Sequence, residues 1–169
     1  MSLILIGGGA RSGKSRHALH VARQRGSRLA FIATASAGDG EMRERIAAHQ
    51  RERGPEFTTF EEPLAVASLI DTEAERFDAV VVDCLTLWLS NQMFSAPEGI
   101  EASCRGVVEA AALASVPVVL VTNEVGCGIV PENALAREFR DRAGKLNQQA
   151  AERAAEVYWM IFGVPLKVK

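Results

Sequence analysis

The chain has 169 residues, the size of one domain with room for a sizeable core. Hydrophobic residues make up 48% and charged residues 24%, which excludes a disordered chain or a fibrous repeat. Lys plus Arg number 19 against 21 Asp plus Glu, a formal net charge of −2, so the totals carry no basic excess of the kind a nucleic-acid surface shows.

Residues 3–6 are apolar and predict a first strand. The strand runs straight into glycines without a charged leader, so no secretory signal is expected and the expected compartment is the cytoplasm. Gly8-Gly9-Ala10-Arg11-Ser12-Gly13-Lys14-Ser15 follows and fits G-x-x-x-x-G-K-[ST]. Next come a helical pattern over 14–25, a strand over 29–33, a helix over 41–53 and a weaker strand over 57–60. A helix over 64–76 leads to a strand over 79–82 that ends at Asp83. A helix over 85–94, a surface loop over 95–99 and a helix over 100–114 precede a strand over 118–122.

The last helix is predicted over 131–155, with Pro131 in its first turn and Leu135, Phe139, Leu146 and Ala150 at core spacings. A strand over 157–161 and a turn at Gly163-Val164-Pro165 lead to a short antiparallel edge strand over 166–168. Short apolar runs alternating with amphipathic stretches give an α/β fold, with helices on both faces of a mostly parallel sheet. No apolar run approaches the ~20 residues of a membrane span. Cys84, Cys104 and Cys127 are odd in number and lack a C-x-x-C, against a disulfide framework or a structural zinc.

The glycine loop lies between a strand and a helix, so its N–H groups and the positive end of the helix dipole converge on phosphate oxygens. Lys14 is expected to reach the β and γ phosphates and the Ser15 hydroxyl to sit on Mg²⁺; an ordinary Gly-rich turn is the alternative. Asp83 at a strand end suits Mg²⁺, directly or through water, or else caps the following helix. Glu124 closes another strand and is a candidate for substrate contact or proton transfer, with helix or loop capping as its alternative. On the helix over 41–53, Arg45, His49 and Arg53 are four apart and share a face. An imidazole between guanidiniums is favoured in its neutral form and can attack phosphorus, although a lone His on a charged helix is more often a solvated side chain, and the spacing alone favours that reading.

Beyond these local patterns, Gly7 through Ala18, Ile32-Ala33-Thr34-Ala35, Glu41-Met42, Arg45-Ile46 and His49 resemble the bifunctional adenosylcobinamide kinase/adenosylcobinamide-phosphate guanylyltransferases of cobalamin biosynthesis. Glu61-Glu62-Pro63, Asp83-Cys84-Leu85-Thr86, Thr122-Asn123-Glu124-Val125-Gly126 and Gly128-Ile129-Val130-Pro131-Glu132-Asn133 extend the likeness, as do Phe139-Arg140-Asp141 and Leu146-Asn147-Gln148. The resemblance implies a three-layer, RecA-like P-loop fold over the whole chain, a homotrimer and two reactions. ATP or GTP phosphorylates adenosylcobinamide; GMP then passes from GTP to that phosphate through a GMP-histidine that matches His49, releasing pyrophosphate. It also implies nucleotide contacts at Gly8, Gly9, Ala10, Arg11, Ser12, Gly13, Lys14, Ser15, Ala33, Thr34, Ala35, Gln50, Arg51, Glu52, Arg53, Glu61 and Asp83. Ser15 and Asp83 serve Mg²⁺, and Lys14 joins His49 in catalysis. Competing readings are a guanylyltransferase without the kinase, a GTP-binding regulatory module, and a small-molecule kinase with His49 as bystander.

Overall fold

Runs of Val, Ile and Leu buried on both faces build the middle of the fold. The computed structural model describes residues 2–35 and 53–169. Strands β1 (Leu3–Gly8), β2 (Leu29–Ala33), β3 (Phe57–Glu61), β4 (Ala79–Asp83), β5 (Val118–Val121), β6 (Glu156–Ile161) and β7 (Val164–Lys167) form one sheet. Their order is β3-β2-β4-β5-β1-β6-β7. All neighbours are parallel except β6 and β7. The helices are α1 (Lys14–Arg23), α2 (Val66–Glu73), α3 (Leu85–Ser95), α4 (Ile100–Leu113) and α5 (Ala134–Arg153).

Successive strand residues point to opposite faces. Leu3, Leu5, Ile32, Val80, Val82 and Leu120 pack with α2, α3, α4 and α5, while Ile4, Ile6, Phe31, Val81, Val119 and Val121 pack with α1. β1, β2 and β5 are buried along their whole length, which is why they read as continuous apolar runs. The result is the expected three-layer arrangement, with helices on both faces.

Several boundaries differ from expectation for local reasons. α1 ends at Arg23 rather than 25. α2 begins at Val66 rather than 64, because Glu62 Oε1 accepts from the Leu64 and Ala65 N–H groups at 2.9 and 2.7 Å; it ends in a 3-10 turn at Ala74–Arg76. α5 begins after Asn133, whose Oδ1 accepts from Ala136 N at 3.0 Å, so Pro131 lies outside its first turn. Leu135, expected in the core, is 47% exposed. Asn147 meets the end of β5, and Ala155 N donates to Leu3 O at the start of β1. Leu135 precedes Asn147 by twelve residues, about 18 Å along the helix at 1.5 Å per residue, and α5 packs on the core only from Phe139 onward.

The expected Gly163-Val164-Pro165 turn is instead Phe162-Gly163, with φ of 51° and 86°, the left-handed pair that matches strand twist in a two-residue hairpin. Val164 and Pro165 belong to β7, where Pro165 faces Met160. Proline is tolerated because β7 is the outermost strand. The predicted helix over 41–53 lies outside the described residues except for Arg53.

At the other end of the molecule, Asp78 ties β4 to the turn before β2. It accepts from the Arg28 guanidinium at 2.8 Å and from the Arg28 and Ser27 N–H groups at 2.9 and 3.0 Å. These donors, Arg28 foremost, hold its carboxyl at about 2 against an ordinary 3.8. A carboxyl depressed by folding stabilises the native state above its unfolded value and loses that contribution as pH falls toward the folded value. Asp78→Asn is therefore expected to lower Tm at pH 7, with the gap to wild type closing between about pH 4 and 2. Melting curves check this, and an equal gap at both ends of that range would disprove it.

Candidate active site

Backbone geometry shapes the loop that follows β1. Gly8 has φ 150°, and a Cβ there would lie 2.9 Å from both Met160 O and Ser12 Oγ. Gly13, at φ 90°, sits immediately before α1, where a Cβ would lie 3.3 Å from Gly163 Cα. Both positions therefore need glycine. Two backbone bonds anchor the loop: Gly163 N to Ser12 O and Glu124 N to Gly8 O, each 3.1 Å. Gly9, Ala10 and Arg11 are exposed, and Gly9 faces open space. α1 starts with no side-chain cap and no acidic residue in its first turn. Its first N–H groups remain available to an anion.

Lys14 folds back across this loop. Its Nζ donates to Gly9 O at 2.5 Å and to Ser12 Oγ at 3.5 Å. Burial lowers its pKa, and the nearby Cys84 and Asp83 oppose that shift. The Cys84 thiol is itself pushed up to about 11, chiefly by burial and then by Asp83, so at neutral pH Asp83 is the anion that Lys14 senses. Asp83 closes β4, half-buried. The cap position of α3 is Cys84, whose own side chain makes no capping bond. Glu124, by contrast, does cap: its Oε1 accepts from Gly126 N in its own turn.

Ala33 ends β2, and the fully buried Thr34 locks that end to β4. Its hydroxyl donates to Cys84 O at 2.8 Å and accepts from Cys84 N at 2.9 Å. Asn91 Nδ2 donates to Thr34 O at 2.8 Å and to Pro63 O at 3.2 Å. The Thr34 hydroxyl is thus committed to backbone, while Ala35 is half-buried beside it. Asn91 was not singled out from sequence, since nothing local marks a mid-helix amide as a brace between strand ends.

The structure brings together Gly8, Ser12, Gly13, Lys14 and Ser15 with Asp83 and the β2 end, all at the carboxyl edge of the sheet, where open α/β folds bind ligands. Glu61 is on the same edge but exposed at the end of β3. β3 is four strand spacings from β1, about 19 Å at ~4.8 Å each. Arg53 is buried, with Cζ 4.0 Å over the Phe31 ring and its carbonyl accepting from Arg23 at the far end of α1. Burial lowers its pKa, opposed by Asp83 and Glu61. His49, Gln50, Arg51, Glu52 and Arg45 lie outside the described residues.

Among the described residues no group of three or more His, Cys, Asp or Glu could hold a metal ion. One carboxylate, Asp83, and one hydroxyl, Ser15, suit Mg²⁺, which takes few protein ligands and completes its shell with phosphate and water oxygens. Among the described residues no helix is long and apolar enough to cross a membrane.

Solved structures with the same fold include the ATPase domain of G40P (TM-score 0.56, 12% identity, 94% of this chain and 68% of that one). The RadB recombinase gives TM-score 0.54 at 18% identity over 94% of this chain and 73% of that one. The chain thus has the P-loop NTPase, RecA-like fold. The bifunctional adenosylcobalamin biosynthesis protein CobP of Pseudomonas aeruginosa is 43% identical over 98% of this chain and 96% of its own length. The bifunctional adenosylcobalamin biosynthesis protein CobU of Escherichia coli K12 is 38% identical over 99% of both chains. The model of the cobinamide kinase / cobinamide phosphate guanyltransferase family matches residues 4–168. Likeness over nearly the full length shows that this chain, with its glycine loop at the carboxyl edge of the sheet, belongs to the cobinamide kinase / cobinamide phosphate guanyltransferase family.

Proposed function

We infer that this chain phosphorylates adenosylcobinamide with ATP or GTP and then converts the product to adenosylcobinamide-GDP through a guanylylated His49. The observation that carries this reading is the intact loop with Lys14 buried against Gly9 and Asp83 nearby, in a chain matched over nearly its whole length to a two-activity family.

In the first reaction the corrinoid hydroxyl oxygen attacks the γ phosphorus, the β–γ bridge bond breaks, and the hydroxyl proton leaves to solvent. The loop N–H groups and Lys14 hold the triphosphate and take up charge on its outer oxygens. Ser15 and Asp83 would hold Mg²⁺, which when bound neutralises phosphate charge. In the second reaction an imidazole nitrogen of His49 attacks the α phosphorus of GTP and pyrophosphate leaves. An oxygen of adenosylcobinamide phosphate then attacks the same phosphorus, the P–N bond breaks and the imidazole is restored. A phosphoramidate divides one displacement between two anions into two easier ones. Gln50, Arg51, Glu52, Arg53, Glu61 and the Ala33-Thr34-Ala35 segment are assigned to the nucleotide, and Arg45 and Arg53 to charge at the α phosphate.

The working unit is read as a homotrimer in the cytoplasm. An exposed apolar hairpin supports association: Phe162 is 99% exposed, with Ile161, Val164, Leu166 and Val168 exposed beside it. That hairpin bonds to the phosphate loop through Gly163 and Ser12, so a neighbouring copy seated there would adjoin the nucleotide.

Mass spectrometry of adenosylcobinamide after incubation with the full chain tests the function. Addition of one phosphate with ATP and Mg²⁺, followed by conversion to the GDP form once GTP is supplied, is the expected result. A corrinoid left unmodified under both conditions would refute the reading.

A further inference from the structure

The carboxyl end of β5 carries a polar cluster that the phosphate loop and the nucleotide contacts implied by the family resemblance leave unexplained. Thr122 is 3% exposed, and its Oγ1 donates to Asn147 Oδ1 on α5 at 2.7 Å. Asn147 Nδ2 donates to the Asn123 carbonyl at 3.4 Å. From α3, Thr86 Oγ1 accepts the Asn123 N–H at 2.8 Å. Two helices therefore grip both backbone polar groups of Asn123. The flanking residues bond to β1, Thr122 N to Ile6 O at 3.0 Å and Glu124 N to Gly8 O at 3.1 Å. Asn123 is thus fixed beside the first residue of the phosphate loop.

Held this way, the Asn123 side chain has a definite heading. Its Nδ2 lies 3.9 Å from Cys84 Sγ, next in sequence to Asp83 and within the electrostatic reach of Lys14. A thiol sulfur is a weak acceptor, so the amide keeps donor capacity for a stronger one such as a phosphate oxygen. Asparagine is a poor helix-interior residue, with no advantage at 147 unless its side chain has a task.

We propose that Asn147 is a positioning residue for phosphoryl transfer: by clamping the Asn123 peptide it aims the Asn123 amide into the space between the phosphate loop and Asp83, where the terminal phosphate of the nucleotide lies. Asn123 is the residue that touches the nucleotide, and Asn147 acts through it. The proposal rests on the kinase reading given above.

A double-mutant cycle on the full chain tests it, with steady-state ATP-dependent phosphorylation of adenosylcobinamide as readout. Asn123→Ala and Asn147→Ala are each expected to lower kcat roughly ten- to a hundred-fold, with KM for ATP within about threefold of wild type. The double variant is expected to be no slower than Asn123→Ala, because the second residue works through the first. Asn147→Asp keeps the acceptor for Thr122 and loses the donor to Asn123, so, assayed below its own melting transition, it should show the same fall in kcat. A double variant that loses the product of the two single effects would overturn the proposal, as would an Asn147→Asp chain with wild-type kcat. Wild-type protein that fails to phosphorylate the corrinoid sinks the kinase reading, and the proposal with it. Active wild type with an equally active Asn147→Ala sinks the proposal alone.

Discussion

Lys14→Ala is expected to reduce kcat/KM for ATP-dependent phosphorylation of adenosylcobinamide roughly a hundred- to a thousand-fold, the usual cost of removing a preorganised group from developing transition-state charge. Lys14 is only 7% exposed and lies against the loop carbonyl of Gly9 and the Ser12 hydroxyl. Its amine therefore needs only to exchange loop contacts for phosphate oxygens, without crossing bulk water. Alanine leaves Gly9 O to be hydrated, and because Gly9 is exposed the fold should keep its Tm. Lys14→Arg is expected to restore little, since a planar guanidinium does not fit the place of a compact ammonium. Steady-state kinetics together with a melting curve separate a lost charge from a lost fold. An undiminished rate in Lys14→Ala would remove the loop from the reaction.

The second large effect concerns His49. GTP labelled at the α phosphate is expected to leave acid-labile, base-stable label on wild-type protein and none on His49→Ala. ATP-dependent phosphorylation by that variant should stay within about threefold of wild type. The separation follows from the two chemistries: attack at the α phosphorus needs a nitrogen nucleophile, whereas transfer of the γ phosphate uses the corrinoid hydroxyl. The neutral imidazole is the nucleophile in that step. Label retained in the variant would assign the intermediate to another residue. Ala35 follows Thr34, whose N–H donates to Asp83 O at 3.2 Å, at the same carboxyl edge as the loop before α1.

The two chemistries also differ in how far the sequence could locate them. The loop was legible because its requirements are local: glycine at Gly8 and Gly13 for backbone shape, a strand before and a helix after. The α/β alternation was legible for the same reason, since burial on both faces leaves continuous apolar runs in β1, β2 and β5. Boundaries were less so. The start of α5 depends on which of several polar residues supplies the cap, and Asn133 does so. The fate of Leu135 depends on where along α5 the core begins, which is at Phe139 and is a matter of tertiary packing rather than of periodicity.

Composition and local pattern by themselves determined the fold class, the glycine loop between β1 and α1 and the presence of carboxylates at strand ends, because each is written within a few neighbouring residues. Folding in three dimensions alone decided the strand order that sets β4 two places from β1. It also brought Thr34 to Cys84, Asn147 to Thr122, and the Phe162-Gly163 turn against Ser12. These pairs are separated in sequence by 25 residues or more, 50 for Thr34 and Cys84. No local propensity encodes them, since a side chain meets such a partner only after the strands between have chosen their neighbours.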